Sequence, residues 1–372
     1  MISIIIPYRN REVMRVKRCL ESLLFQSYKS FEVVLVDSGS DNGISKEISE
    51  LTEYYTFCQY VFTDTRGMIW NRSYALNVGA RLSIGNILLM ADIDLIFEPD
   101  FLFKISALNF EKNFYNYRCL YLPEGYNYKN DDWSKLNTKE YKNSGNSRGL
   151  LIVSKKDFDQ VNGYDEYYQQ WGIEDDDIDK RLKLLNLRQY YLSENETISL
   201  HQWHKESYTN VPTIWYLQML NYFEQNEDIK RNKSGFGKII NKINRIDFIK
   251  DANQNKMVTV IPKKYLSVTC YNEIVNVFFN CKPNEIIKIT YQQPSEFKHT
   301  GLIKKIKNFA LHHVIKSPHL PNQNVVLEKS FLTTEALFDF MIYFIGINRQ
   351  HIADYSVDYV FTKTLCIYIM RK

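Results

Sequence analysis

The chain opens on a short apolar run, residues 2–6, closed by Pro7, and then changes period: Val13, Val16, Leu20, Leu23 and Leu24 recur at helical spacing. A continuous apolar run bounded by a turn signal predicts a buried strand, and the wider spacing predicts an amphipathic helix. The alternation then repeats. Residues 31–36 predict a second strand, 59–62 a third ahead of a helix over 71–82, and 87–90 a fourth that runs into Ala91-Asp92-Ile93-Asp94. Strands separated by helices of this length imply right-handed crossovers and an α/β fold with a mainly parallel, Rossmann-like sheet. Ligands of such sheets collect beyond the carboxyl ends of the strands, and the polar strings of this chain fall there.

Between residues 111 and 148 the periodicity fades into a Tyr-, Asn- and Lys-rich stretch that predicts loops and a lid. A strand is expected over 149–153 and helices over 175–185 and 212–223. Residues 228–256 are polar and carry Lys230, Arg231, Lys233, Lys238, Lys242 and Arg245, which predicts a linker between a domain at 1–227 and a smaller α+β domain at 257–372. In the latter, strands are expected over 257–261, 274–279 and 286–291, with an apolar segment at 365–370. Residues 302–316 place Ile303, Ile306, Phe309, Ala310 and Val314 at helical spacing beside Lys304, Lys305 and Lys307. Such a helix packs on its own domain or lies on an anionic membrane surface. No internal repeat is evident.

Composition narrows the classes. With 372 residues, 45% of them hydrophobic, the chain can bury a substantial core, and its formal charge of +4 is too small for a dedicated nucleic-acid binder. The six cysteines are scattered without a CxxC pair, which reads as reduced thiols. The N-terminal apolar run is too short for a signal peptide, and no stretch approaches the roughly 20 apolar residues of a membrane helix. These features predict a cytoplasmic protein with at most peripheral membrane contact.

The candidate chemistry lies in five strings. Pro7-Tyr8-Arg9-Asn10-Arg11 follows the first strand and offers two guanidinium groups suited to a diphosphate, or else forms a solvated loop. Asp37 ends the second strand, where its carboxylate can accept from a nucleobase or ribose, or simply close a turn. Asp92 and Asp94 fall on one face of an extended chain, and two like charges held together call for a cation such as Mn²⁺ or Mg²⁺. Trp171-Gly172-Ile173-Glu174-Asp175-Asp176-Asp177 places four acids in a row. The helix dipole explains one or two of them; a carboxylate that takes a proton from a hydroxyl, beside an aromatic face that packs on sugar, explains the rest. His201 and His204 stand three apart, a spacing from which two imidazoles in a turn or helix can reach one metal ion.

In order, these strings resemble the GT-A-fold glycosyltransferases of family 2, and more pointedly the β-1,4-galactosyltransferase and chondroitin-polymerase groups. Pro7 to Arg11 is similar to the Pro-Phe-Arg-Asn-Arg nucleotide loop. Trp70-Asn71-Arg72, with Leu76-Asn77-Val78-Gly79 after it, is similar to the Phe-Asn-Arg and Leu-Asn-Val-Gly strings, whose aromatic residue and arginine lie against the nucleotide. Asp92-Ile93-Asp94 resembles the Asp-x-Asp motif, which implies donor contact by Asp92 and metal ligation by Asp94. The run from Trp171 to Asp177 resembles Trp-Gly-Gly-Glu-Asp-Asp-Asp, which implies Asp175 as catalytic base, with Trp171, Glu174 and Asp176 toward the acceptor. His201 and His204 take the spacing of the later metal ligands. The resemblance covers roughly residues 1–210, and ordered motifs are more specific than any one alone. Ile173 stands where the family has glycine, His201 where the galactosyltransferases have methionine, and Asn146 near a donor-selecting tyrosine.

The resemblance implies an inverting, metal-dependent transfer of a hexosyl or N-acetylhexosaminyl group from a nucleoside-diphosphate sugar, UDP-linked by expectation. The acceptor is a saccharide or lipid-linked saccharide, in bacterial surface-polysaccharide synthesis. Arg9, Arg11 and Arg72 are expected to hold the diphosphate. Two other classes stay open: a nucleotidyltransferase, although no Gly-rich, Lys-containing phosphate loop is present, and a non-catalytic sugar-binding protein.

Overall fold

The apolar run at the N-terminus folds as β1, Ile2–Tyr8, in which every residue is buried. Burial on both faces is the reason the run does not alternate. The computed structural model describes residues 1–126, 133, 136–142, 144, 149–170, 172–205, 213–241, 256–259, 268–292, 333–360 and 364–372. They fall into two units, Met1–Val211 with Tyr216–Asn244 and Pro212–Trp215 with Arg245–Lys372.

In the first unit β1 pairs in parallel with β2, Phe31–Ser38, and β2 pairs with β3, Cys58–Thr63. On its other side lies β4, Ile87–Met90, also parallel. After β5, Leu95–Phe97, come β6, Asn113–Tyr117, β7, Leu120–Tyr121, β8, Leu151–Ser154, β9, Arg188–Leu192, and β10, Ser199–His201. The large sheet has seven strands in the order β3-β2-β1-β4-β8-β6-β9, with β8 antiparallel to both neighbours; β5, β10 and β7 make a small second sheet. This is the mainly parallel α/β architecture the sequence predicts.

Helices cover both faces. Ile4 and Ile6 of β1 share a core with Val16, Leu20 and Leu23 of α1, Val13–Leu24, and with Ile48 of α2, Asn42–Thr52. Ile5 points the other way, to Leu76 and Val78 of α3, Arg72–Leu82. There Gly79 lets α3 lie directly on the sheet, since a Cβ at that position would stand 2.3 Å from Ile5 Cγ2. The remaining helices of the N-terminal half are α4, Phe101–Ser106, α5, Lys155–Gln160, α6, Glu174–Leu184, and α7, Thr213–Gln225.

The second unit holds β11, Lys256–Thr259, β12, Ile286–Gln292, β13, Ile352–Val360, and β14, Thr364–Arg371, in the order β11-β12-β14-β13. It adds α8, Val268–Asn280, and α9, Thr334–Ile347. Residues 302–316 lie outside the described residues. Among the described residues no helix is long and apolar enough to cross a membrane, and all six cysteines are free.

Three expectations need correction. Residues 274–279, expected as a strand, belong to α8: Cys270, Ile274 and Phe278 are buried at four-residue spacing, a helical stripe that a window of six residues hides. The Tyr-rich stretch from 111 contains β6, because Phe114, Tyr115 and Tyr117 fit a sheet whose other polar position, Asn116, accepts a hydrogen bond from Gln189 Nε2 at 2.8 Å. The expected linker is divided. Residues 228–241 pack on the first unit: Asp64 N donates to Ile240 O at 2.7 Å, Tyr74 OH to Lys238 O at 2.8 Å and Arg81 Nη1 to Phe236 O at 3.0 Å.

Arg231, in that segment, is 3% exposed and reaches Asp177 and Asp165, each at 3.3 Å; Arg181 meets the other oxygen of Asp177 at 2.7 Å. Two buried cations thus hold two buried carboxylates beneath α6. Arg231→Met takes the cation from Asp165 and leaves Asp177 to Arg181 alone, and the expected cost in urea unfolding is about 3–5 kcal/mol. A loss below about 1 kcal/mol would mean that the segment only rests on the surface.

Candidate active site

The site is assembled where β1, β2 and β4 end. Asn71 caps α3 by accepting from Tyr74 N at 2.8 Å, so the Asn of the Trp-Asn-Arg string starts the helix and projects Arg72 from its first turn. Arg72 is 12% exposed, and four of its five guanidinium N–H groups meet protein. Nε and Nη2 donate to Asp92 Oδ1 at 3.3 and 3.2 Å, Nη1 to Asp175 Oδ1 at 3.1 Å and Nη2 to the Gly149 carbonyl at 2.9 Å. Burial works against its charge, and Asp92 and Asp175 more than offset this, so its pKa lies well above the usual value.

The two aspartates of Asp-x-Asp do not share one face. The chain turns after Asp92, whose carbonyl accepts from Leu95 N at 3.2 Å, and the second carboxylate swings to other partners. Asp94 is linked to β10 by backbone: Gln202 N donates to Asp94 O at 2.8 Å, and His201 pairs with Leu95 in the β5–β10 ladder. That register brings residues a hundred positions apart together. Asp94 Oδ2 stands 3.2 Å from His204 Nε2 and 3.6 Å from His201 Nε2. Its Oδ1 is buried with no hydrogen-bond partner among the described residues. Burial pushes the Asp94 carboxyl up, and the hydrogen bond from His204 with the charge of both imidazoles outweighs it, leaving it below the usual range.

These three side chains fit a divalent cation. Each offers one ligand atom, and all lie within 4.8 Å of one another. His204 Nδ1 faces the Lys205 carbonyl at 3.1 Å, which only accepts, so Nδ1 carries hydrogen and Nε2 is the nitrogen turned to the site. Imidazole with carboxylate suits Mn²⁺ and is compatible with Mg²⁺. Gln202 ties the strand to α1 through the Arg15 carbonyl at 3.1 Å, and Tyr121 packs on the His201 ring at 5.0 Å between centroids.

The four acids of the later string divide by helix geometry. Glu174 and Asp175 face the site; Asp176 lies on the outer face in a shallow cavity with Lys180, Lys183 and Phe223; Asp177 is buried in the ion-pair cluster. Asp176 is therefore not brought to the other candidates. Trp171 and Asn146 lie outside the described residues. Gln170, Gly172 and Ile173 all have positive φ, at 70°, 101° and 72°. An isoleucine there costs about 1–2 kcal/mol, which accounts for glycine in the resembling motif. The bend is held by Gln170 N donating to the Trp70 carbonyl at 2.8 Å.

The N-terminal strings are committed locally. Arg9 donates to the carbonyls of Ser38, Met68 and Thr65, the last two at 2.9 Å, and stacks on Trp70 at 5.4 Å. It braces the loop after β3 instead of standing open to a phosphate. Asp37 is fully buried and accepts from Ser40 N at 2.8 Å and Tyr60 OH at 2.7 Å, the turn-closing alternative. Burial raises its carboxyl, against those hydrogen bonds. Pro7 and Tyr8 are buried in β1, with Tyr8 OH donating to the Arg11 carbonyl at 2.6 Å, and Arg11 itself is exposed. Gly149 was not singled out by its chemistry: a Cβ there would stand 3.0 Å from Asp175 Oδ2. A glycine opening a predicted strand was the available signal.

Residues 3–152 match the Glycosyl transferase family 2 model, and residues 134–205 match that of the N-terminal domain of galactosyltransferase. An uncharacterized glycosyltransferase of Haemophilus influenzae is 32% identical over 133 residues, 34% of this chain and 42% of that protein. Glycosyltransferase GlyA of Streptococcus pneumoniae is 30% identical over 100 residues, 27% of this chain and 14% of that protein. The chain thus spans less than half the length of these relatives. Among solved structures, S. aureus TarS 1-349 in complex with UDP-GlcNAc aligns at a TM-score of 0.45 and 18% identity, over 60% of this chain and 65% of that one.

In the first unit Glu174 is 5% exposed and its pKa is raised, by burial first and then by Asp175, against the pull of Arg72. The folded chain then holds a proton that the unfolded chain releases, so stability falls as pH rises above the ordinary glutamate range. Glu174→Gln mimics the protonated form and is expected to melt higher than the native chain at about pH 8 and equally near pH 4. A lower melting temperature at the alkaline end would contradict this assignment.

Proposed function

We propose that the domain transfers a glycosyl group from a nucleoside-diphosphate sugar, UDP-linked in this reading, to a saccharide hydroxyl, free or lipid-linked, with inversion. The observation that carries the reading is the convergence of Asp94, His201 and His204 on one point, with Arg72 joining Asp92 to Asp175 beside it. Asp94, His201 and His204 would hold a divalent cation, which supplies Lewis-acid neutralisation of the departing diphosphate.

The chain's own groups do the rest. Asp175 is 24% exposed, so one side of its carboxylate is open to an incoming hydroxyl. It removes the acceptor proton as that oxygen bonds to the anomeric carbon, while the bond from that carbon to the diphosphate oxygen breaks. One displacement inverts the configuration and needs no enzyme-bound sugar. Asp92, 43% exposed, keeps an oxygen toward solvent for a donor hydroxyl while Arg72 holds the other. Arg11, the exposed arginine of the N-terminal loop, would meet the phosphate in this reading. The reading includes a cytoplasmic location, with surface-polysaccharide synthesis as the setting.

The test is a panel of nucleotide sugars with Mn²⁺, with the anomer of the product read by NMR. Transfer with inversion is expected from one donor, lost in chelator and restored by Mn²⁺. Asp175→Asn should lower kcat by about 10²- to 10⁴-fold while still binding UDP. Near-native turnover in that variant removes Asp175 as the base, and activity undiminished by chelator removes the cation.

A further inference from the structure

We propose that Arg72 is a positioning residue that clamps the base Asp175 to Asp92, and that it is not a ligand of the donor diphosphate. The inference rests on the function proposed above and departs from it on how the base is set. Each of the three guanidinium nitrogens meets protein, through four of the five N–H groups: two bonds to Asp92, one to Asp175 and one from Nη2 to the Gly149 carbonyl. The group is a buried fork between two elements far apart in sequence, the turn after β4 and the first turn of α6. Planar, bidentate donors are suited to fixing two carboxylates at a set separation.

The surrounding atoms are shaped for this contact. Gly149 lacks the Cβ that would meet Asp175 Oδ2 at 3.0 Å and Arg72 Nη2 at 3.8 Å. A side chain there would part the pair. The left-handed backbone of Gln170, Gly172 and Ile173 precedes α6, which carries Asp175 in its first turn, and the strain there is offset by what that placement secures. To hold a diphosphate with a bidentate fork, Arg72 would have to give up contacts to a carboxylate, since these bonds leave it one Nη1 N–H. Asp92 and Asp175 would then face each other unscreened.

The groups that face Asp175 are Arg72 from α3, Asp92 from the turn after β4, Glu174 on its own helix and the buried phenol of Tyr164. Arg72 is the one cation among these groups of the described residues. Burial raises the Asp175 carboxyl, and Asp92 adds to that; Arg72 opposes both. A base must be ionised to act. Without Arg72 the acid limb of the pH–rate profile moves upward, because an opposite charge at this distance is worth about one to three pK units.

The experiment compares Arg72→Met, which keeps length and removes charge, with Arg72→Lys, which restores charge without the fork. Circular dichroism confirms that each is folded. For Arg72→Met the expected results are a fall in kcat, an acid limb of kcat/KM displaced upward by about one to three pH units, and an affinity for UDP with Mn²⁺ within about threefold of native. Arg72→Lys should return the acid limb toward its native position while recovering kcat only in part. UDP affinity lowered tenfold or more, about 1.4 kcal/mol, with the acid limb unmoved, makes Arg72 a diphosphate ligand and overturns the proposal. If the native chain transfers no sugar from any donor, the proposed function fails, and the UDP affinities still decide for or against phosphate contact by Arg72.

Discussion

The first unit is organised around a concentration of negative charge that burial makes costly. Asp92, Glu174 and Asp175 gather around Arg72 from the end of β4 and the start of α6, Asp94 two residues on from Asp92 faces His201 and His204, and each is at least partly withdrawn from water. Carboxylates in such a place must gain cations or protons. Arg72 supplies one cation, the two imidazoles supply another centre, and Glu174 takes the proton route. The elements that deliver those groups, α3 with its Asn71 cap and β10 with its pairing to β5, are the ones that give this α/β sheet its particular chemistry.

A second charge cluster supports the first from beneath. Asp177 is two residues beyond the last site-facing acid, Asp175, and is wholly buried, held by Arg181 and Arg231. Anchoring α6 through Asp177 fixes the rotation of the helix, and that rotation presents Glu174 and Asp175 inward while Asp176 turns to solvent. The acidic string therefore serves three purposes at once. Reading it as a single acceptor site overstates Asp176 and understates Asp177.

The parallel strands were legible because buried runs such as residues 2–6 and 31–36 have no competing period. The site's members were legible as types, since aspartate pairs and spaced histidines have few structural uses. What stayed hidden were pairings. Nothing in Arg9 or Arg72 reveals whether a guanidinium meets phosphate or protein; that depends on the carbonyls of Ser38, Thr65 and Met68 in one case and on Asp92, Gly149 and Asp175 in the other. Likewise α8 was hidden because five apolar residues in a window of six fit either period, and the 228–241 segment because its charge looks solvated until Arg231 is seen to be buried. Local composition reports what a residue can do, and tertiary contact selects among the options.

The claim on which the account turns is that Asp94, His201 and His204 form one cation centre. Anomalous diffraction from crystals soaked with Mn²⁺ and UDP measures this directly. A peak at about 2.0–2.2 Å from an Asp94 oxygen and from His204 Nε2, with His201 beside it, is the predicted result. Crystals that bind UDP with no anomalous density among these three residues, or with the ion elsewhere, would contradict it.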